Sequence, residues 1–147
     1  MVLEETTNKL LLDIYHDVMS IEQSILKGGQ FNDISVTEMH TIEAIGLAVN
    51  PKRTMSEVAK ILSITVGTLT VATNNLTSKG YVERTRSDED RRIVRLSLTK
   101  KGRVVYRMHE KFHKKVTQAS IQGLTGVEED VLKTALINLH IFLRKQY

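Results

Sequence analysis

The chain has 147 residues, of which 41% are hydrophobic and 26% charged, with a net charge of +4; this balance fits one globular domain with extensions and excludes wholesale disorder. It contains no cysteine, which excludes a disulfide framework and any thiolate metal site. The longest uncharged run, residues 61–78, is half Ser, Thr and Asn, so no membrane span is expected. The first residues lack the basic start and apolar core of a signal peptide, and a soluble, cytoplasmic protein is the expectation.

Leu11, Ile14, Val18, Ile21 and Ile25 recur at spacings of three and four, with Leu12, Tyr15, Met19 and Leu26 beside them. They predict a long first helix that the Gly28-Gly29 pair ends. Three later helix starts carry a hydroxyl residue followed three positions on by glutamate: Ser35 with Glu38, Thr54 with Glu57, and Thr125 with Glu128. In each, the hydroxyl can accept from a free backbone N–H of the first turn while the carboxylate reaches back to the cap. The helix begun near Val36 is expected to close at Asn50-Pro51. Two short helices follow, 54–62 and 65–79, separated by a turn at Ser63-Ile64. Val58, Ala59 and Leu62 on the first, and Leu69, Ala72 and Leu76 on the second, are expected to face inward. On propensity alone residues 64–71 read as a strand, because they are rich in β-branched side chains. The Thr65 cap and the Lys79-Gly80 stop favour helix, and propensity yields to context.

Residues 81–87 and 93–98 read as the strands of a hairpin whose hydrophilic tip runs from Ser87 to Arg92. Thr99 then caps a long helix to about Gln122. A last helix from about Gly126 is apolar nearly all round, with Leu132, Leu136, Leu139, Phe142 and Leu143 on one side and Ile137 and Ile141 on another. A small domain cannot bury such a helix from every direction, so a homodimer is expected.

Charge is unevenly placed. Residues 1–78 carry 5 basic and 9 acidic side chains, whereas residues 79–115 carry 13 basic and 5 acidic. A basic block joined to an acidic remainder points to a polyanion partner. It falls on the order helix, helix, helix, hairpin, which predicts a mainly α protein with a small β-hairpin wing: a winged helix-turn-helix over 35–98, flanked by dimerisation helices at 1–30 and 99–147. The partner is then double-stranded DNA, read as an inverted repeat by the dimer. The helix 65–79 would present Thr65, Gly67, Thr68, Thr70 and Asn74, whose hydroxyl, amide and methyl groups suit phosphates and A·T pairs. Lys79 and Arg84 add positive charge nearby. Arg91 and Arg92 at the wing tip suit a narrow minor groove, with Asp88 and Asp90 orienting them.

Several stretches resemble the MarR family of transcriptional regulators: Thr65-x-x-Thr68-Leu69-Thr70, Leu76-x-x-Lys79-Gly80-Tyr81-Val82-x-Arg84, Ser87-x-x-Asp90-Arg91-Arg92, and Leu96-x-Leu98-Thr99-x-x-Gly102. Within that family, Gln30-Phe31-x-Asp33-x-Ser35, Glu38-Met39-His40-Thr41-Ile42-Glu43 and Tyr106-Arg107-x-His109-x-x-Phe112-His113 resemble the fatty-acid-synthesis repressors. The resemblance implies repression of fatty-acid-synthesis genes, with acyl-acyl carrier protein as corepressor. Its effector site would draw on Phe31, Met39, His40, Arg107, His109, Phe112 and His113. Many relatives carry an arginine on the recognition helix near the position of Val71; this helix has none.

Two zinc readings stand beside this one. His109-Glu110-Lys111-Phe112-His113 matches the H-E-x-x-H pattern of zinc hydrolases. A third ligand and a cleft would also be needed, and Glu128 and Glu129, the candidates for it, fall on a helix assigned to dimerisation. The stronger alternative is a zinc-responsive regulator of the same family, with His40, His109 and His113 as ligands and Glu38 beside them. The reading from the residues calls for no metal, no cofactor and no enzymatic activity.

Overall fold

The computed structural model describes residues 2–48 and 52–146. In chain order it has α1 (Val2–Lys27), α2 (Val36–Gly46), α3 (Met55–Leu62), α4 (Val66–Ser78), β1 (Val82–Arg86), β2 (Val94–Leu98), α5 (Lys100–Ile121) and α6 (Gly126–Arg144). All three capping boxes form, at Ser35, Thr54 and Thr125. α2 ends at Gly46 with Leu47 as its C-cap, short of the expected stop; Asn50-Pro51 lies outside the described residues. α3 ends on Ser63, held at φ 55, and Ile64 N–H returns to the Ala59 carbonyl at 3.0 Å. α3 and α4 meet at 106°, within the range of helix-turn-helix motifs. No single helix among the described residues is long and apolar enough to cross a membrane.

Of residues 64–71, read as strand on propensity, 66–71 form the start of α4. Thr65 caps it, its hydroxyl accepting from Thr68 N–H at 3.1 Å. Tertiary packing holds it: Leu69 and Leu76 are fully buried against the core that Met39, Ile42, Ile45, Val58, Leu96 and Val105 build. Ala72, expected to face inward, is only half-buried, and Thr73 is buried instead. Thr73 tolerates this because its hydroxyl donates back to the Leu69 carbonyl at 2.9 Å.

β1 and β2 pair antiparallel from Val82↔Leu98 to Arg86↔Val94. On its other edge β2 is secured by the segment before α3, where Leu96 N–H donates to the Arg53 carbonyl at 2.8 Å. Thr99 caps α5 by accepting from Gly102 N–H at 3.1 Å.

The chain divides into two compact units, one ending at His109 and one beginning at Glu110. This division falls inside α5, after Gly102, Val105 and His109, which are buried. Of α1, only Glu22 and Leu26 are buried, and Leu10, Leu11, Leu12, Ile14 and Tyr15 are exposed. In the second unit α6 buries none of its residues, leaving Leu136, Ile137, Ile141, Phe142 and Leu143 exposed.

Candidate functional site

The outward face of α4 is built by its own amphipathic arrangement. With Leu69, Thr73 and Leu76 turned inward, Gly67, Thr68, Val71, Asn74 and Asn75 are left exposed. Thr65 and Thr68 engage one another, hydroxyl to hydroxyl at 2.9 Å. Thr70 is half-buried, and its hydroxyl donates to the Val66 carbonyl at 2.8 Å. Among the hydroxyl and amide groups read from sequence, Thr65, Thr68 and Asn74 are exposed, and Val66 and Val71 are exposed apolar residues that the polar reading passed over.

Two of the expected cations are engaged by other parts of the protein. Lys79 directs its ammonium to both oxygens of Glu38, at 2.9 and 3.0 Å. Arg84, on β1, donates to the Thr70 carbonyl at 3.2 Å and to the Thr73 hydroxyl. It thereby ties the wing to the recognition helix. A cleft of about 510 Å³ between them has Val66, Thr70, Arg84 and Arg92 on its walls. Arg91 and Arg92 are exposed at the wing tip. Asp90 shapes the tip through the backbone, accepting from Arg92 N–H at 2.9 Å, and so differs from the guanidinium-orienting role expected of it.

The expected effector residues sit on several elements. Phe31 and Met39 belong to the packed core, and Phe31 meets Tyr81 edge to face. Arg107 is exposed. Phe112 and His113 fall in the second unit, where their rings meet edge to face. Glu110, the would-be general base of H-E-x-x-H, pairs with Lys114 at 3.4 Å.

His40 and His109 do converge, on a residue the sequence reading missed. Glu22 is 2% exposed and accepts from His109 Nε2 at 2.7 Å with one oxygen and from His40 Nε2 at 3.2 Å with the other. Burial pushes the Glu22 carboxyl up, but the hydrogen bond from His109 and the nearness of His40 outweigh it and hold the group below the ordinary glutamate range. Nδ1 of His109 lies 3.4 Å from Glu43. The ligand atoms of Glu22, His40 and His109 all lie within 4.8 Å of one another. Glu38, considered from sequence as a zinc partner, is engaged by Lys79 and by its own capping box. The signal for Glu22 was present in α1: a carboxylate one turn after Val18 and one turn before Leu26, interrupting an apolar stripe. Beside His40, Met19, Leu26, Lys27, Ile34 and Thr37 line a cleft of about 420 Å³ between α1 and α2.

Comparison with known proteins fits this arrangement. Residues 32–93 match the MarR family. Streptococcus pneumoniae FabT, in a crystal structure with DNA, shares 45% identity; the match covers 98% of this chain and 99% of that one, with a TM-score of 0.88. The S. aureus MepR–DNA complex, 21% identical over 91% of this chain and 94% of that one with a TM-score of 0.74, shares the fold. The regulator PchR of Bacillus subtilis is 22% identical over 91% of this chain and 86% of its own length. The helical frame, the hairpin wing and the full-length likeness to FabT converge: this chain belongs to the MarR family of DNA-binding transcriptional regulators.

Proposed function

We propose that this chain represses fatty-acid-synthesis genes in the cytoplasm, as a homodimer on an inverted-repeat operator, with acyl-acyl carrier protein as corepressor. The observation that carries the reading is the 45% identity to FabT along essentially the whole chain. The dimer is supported by the apolar face that α6 leaves exposed and by the apolar first half of α1. In this reading α4 enters the major groove, Arg91 and Arg92 reach the minor groove, and Lys79 and Arg84 hold those elements at a fixed spacing. The acidic carrier protein meets the exposed Arg107, and the acyl chain takes the cleft beside His40.

The test is binding to fatty-acid-synthesis promoter DNA by a purified protein that sediments as a dimer. Binding is measured alone, with acyl-acyl carrier protein, with unacylated carrier protein, and with zinc. Tightening by the acylated carrier alone is the expected result; indifference to it removes the corepressor.

The Glu22, His40 and His109 cluster favours one second reading, a zinc-responsive regulator. Two imidazole nitrogens and a carboxylate oxygen suit zinc, provided both Nε2 atoms turn from donors to ligands. Zinc alone tightening or releasing the DNA would establish this reading in place of the first.

The wing makes a separate prediction. Arg91→Ala or Arg92→Ala weakens DNA binding, and each phosphate that the variant no longer neutralises flattens the log–log dependence of affinity on salt by about 0.9. Unchanged affinity and slope in both variants would take the wing out of the interface.

A further inference from the structure

From Val66 to Ser78 α4 carries no charged side chain. The centre of its outward face is Val71, 62% exposed and directed away from the buried Leu69 and Leu76. A branched apolar residue there has no hydrogen bond to offer a base. Gly67 stands one turn before it, in a helix where glycine is unfavourable. Among the described residues nothing requires that glycine, since a Cβ added to it would meet only the Thr65 hydroxyl, at 3.8 Å. The bare backbone at Gly67 and the isopropyl group of Val71 therefore shape a small apolar notch open to whatever α4 faces.

Among the groups on the major-groove edges of the four base pairs, the thymine C5-methyl is the apolar one. We infer that Gly67 and Val71 form a notch that reads the C5-methyl group of a thymine, which makes Val71 a specificity-determining residue. Gly67 lets the base edge approach, and Val71 removes the methyl group from water. The inference rests on α4 being the helix that enters the major groove, and deepens that reading by naming the group it recognises.

The test uses a duplex recovered from a randomised DNA pool by selection on the purified full-length protein. Each thymine is then replaced singly by deoxyuridine, which lacks only the methyl group. One position in each repeat is expected to lose affinity about fourfold, the equivalent of one methyl group left in water. Val71→Ala should lose a similar factor on the thymine duplex and almost nothing further on the deoxyuridine one. Gly67→Ala should raise the thermal midpoint, because alanine favours helix, yet weaken binding to the selected duplex. Losses that multiply between Val71→Ala and deoxyuridine, or full affinity in Gly67→Ala, overturn the notch. A selection that returns no sequence preference overturns instead the reading of α4 as the groove-entering helix.

Discussion

Glu22→Leu is expected to cost about 3–5 kcal/mol of folding stability, the range seen when one partner of a buried charged pair is removed. Domains of this size have only about 5–15 kcal/mol in total. The cost arises because His109, itself 3% exposed, loses the carboxylate that accepts its Nε2 proton while still packed beside Glu43. His40 loses its partner as well. Urea unfolding in chelator-treated buffer measures the effect as a shift of midpoint; a change below about 1 kcal/mol would mean that the network is not fixed in solution. Glu22→Gln separates charge from shape. A carboxyl held below its ordinary value of 4.5 contributes stability that is complete above that pH and drains away as pH falls through the lowered value. The gap between parent and Glu22→Gln should therefore close in acid, and a gap that widens there would reverse the assignment.

Gly102→Ala is expected to be nearly as damaging, at about 3 kcal/mol or more. A Cβ on Gly102 would drive well inside van der Waals distance of the Tyr81 carbonyl oxygen and would lie 3.3 Å from Leu98 Cβ. The carbonyl cannot step aside, because it already accepts from Thr99 N–H at 3.1 Å. α5 must lift from the base of the wing. Gly46 provides the control: its added Cβ meets Tyr106 at 2.5 Å, but the obstacle there is a ring that can swing. Gly46→Ala should thus cost clearly less in the same denaturation assay. Equal losses would show that backbone rigidity at Tyr81 is not the deciding factor.

Local chemistry was legible in the sequence, and long-range convergence was not. The three capping boxes, the hairpin and the Thr99 cap each depend on residues within a few positions of one another, and each forms as read. Glu22 reaches partners 18 and 87 positions away, so its role exists only once α1, α2 and α5 have met. The same distance blindness affected cations. Lys79 and Arg84 read as free charge, but their partners Glu38 and Thr73 arrive from other elements. Met39, read as a pocket wall, is drawn into the core by the packing of α2. Residues 64–71 show the opposite failure of local rules, since the β-branched run that favours a strand becomes helix once Leu69 and Leu76 are buried.

That run has an effect on the fate of the molecule when it is not on DNA. Residues 64–71 contain no charge and no proline, the composition of a segment that stacks into cross-β aggregates whenever it is unwound. Each opening of α4 exposes it. DNA present at about a hundred times its dissociation constant suppresses such openings by about 2.7 kcal/mol, roughly a hundredfold, wherever binding requires the folded helix. Saturating DNA is therefore expected to slow aggregation of the purified protein in a light-scattering time course, and an unchanged rate would remove this segment as its source.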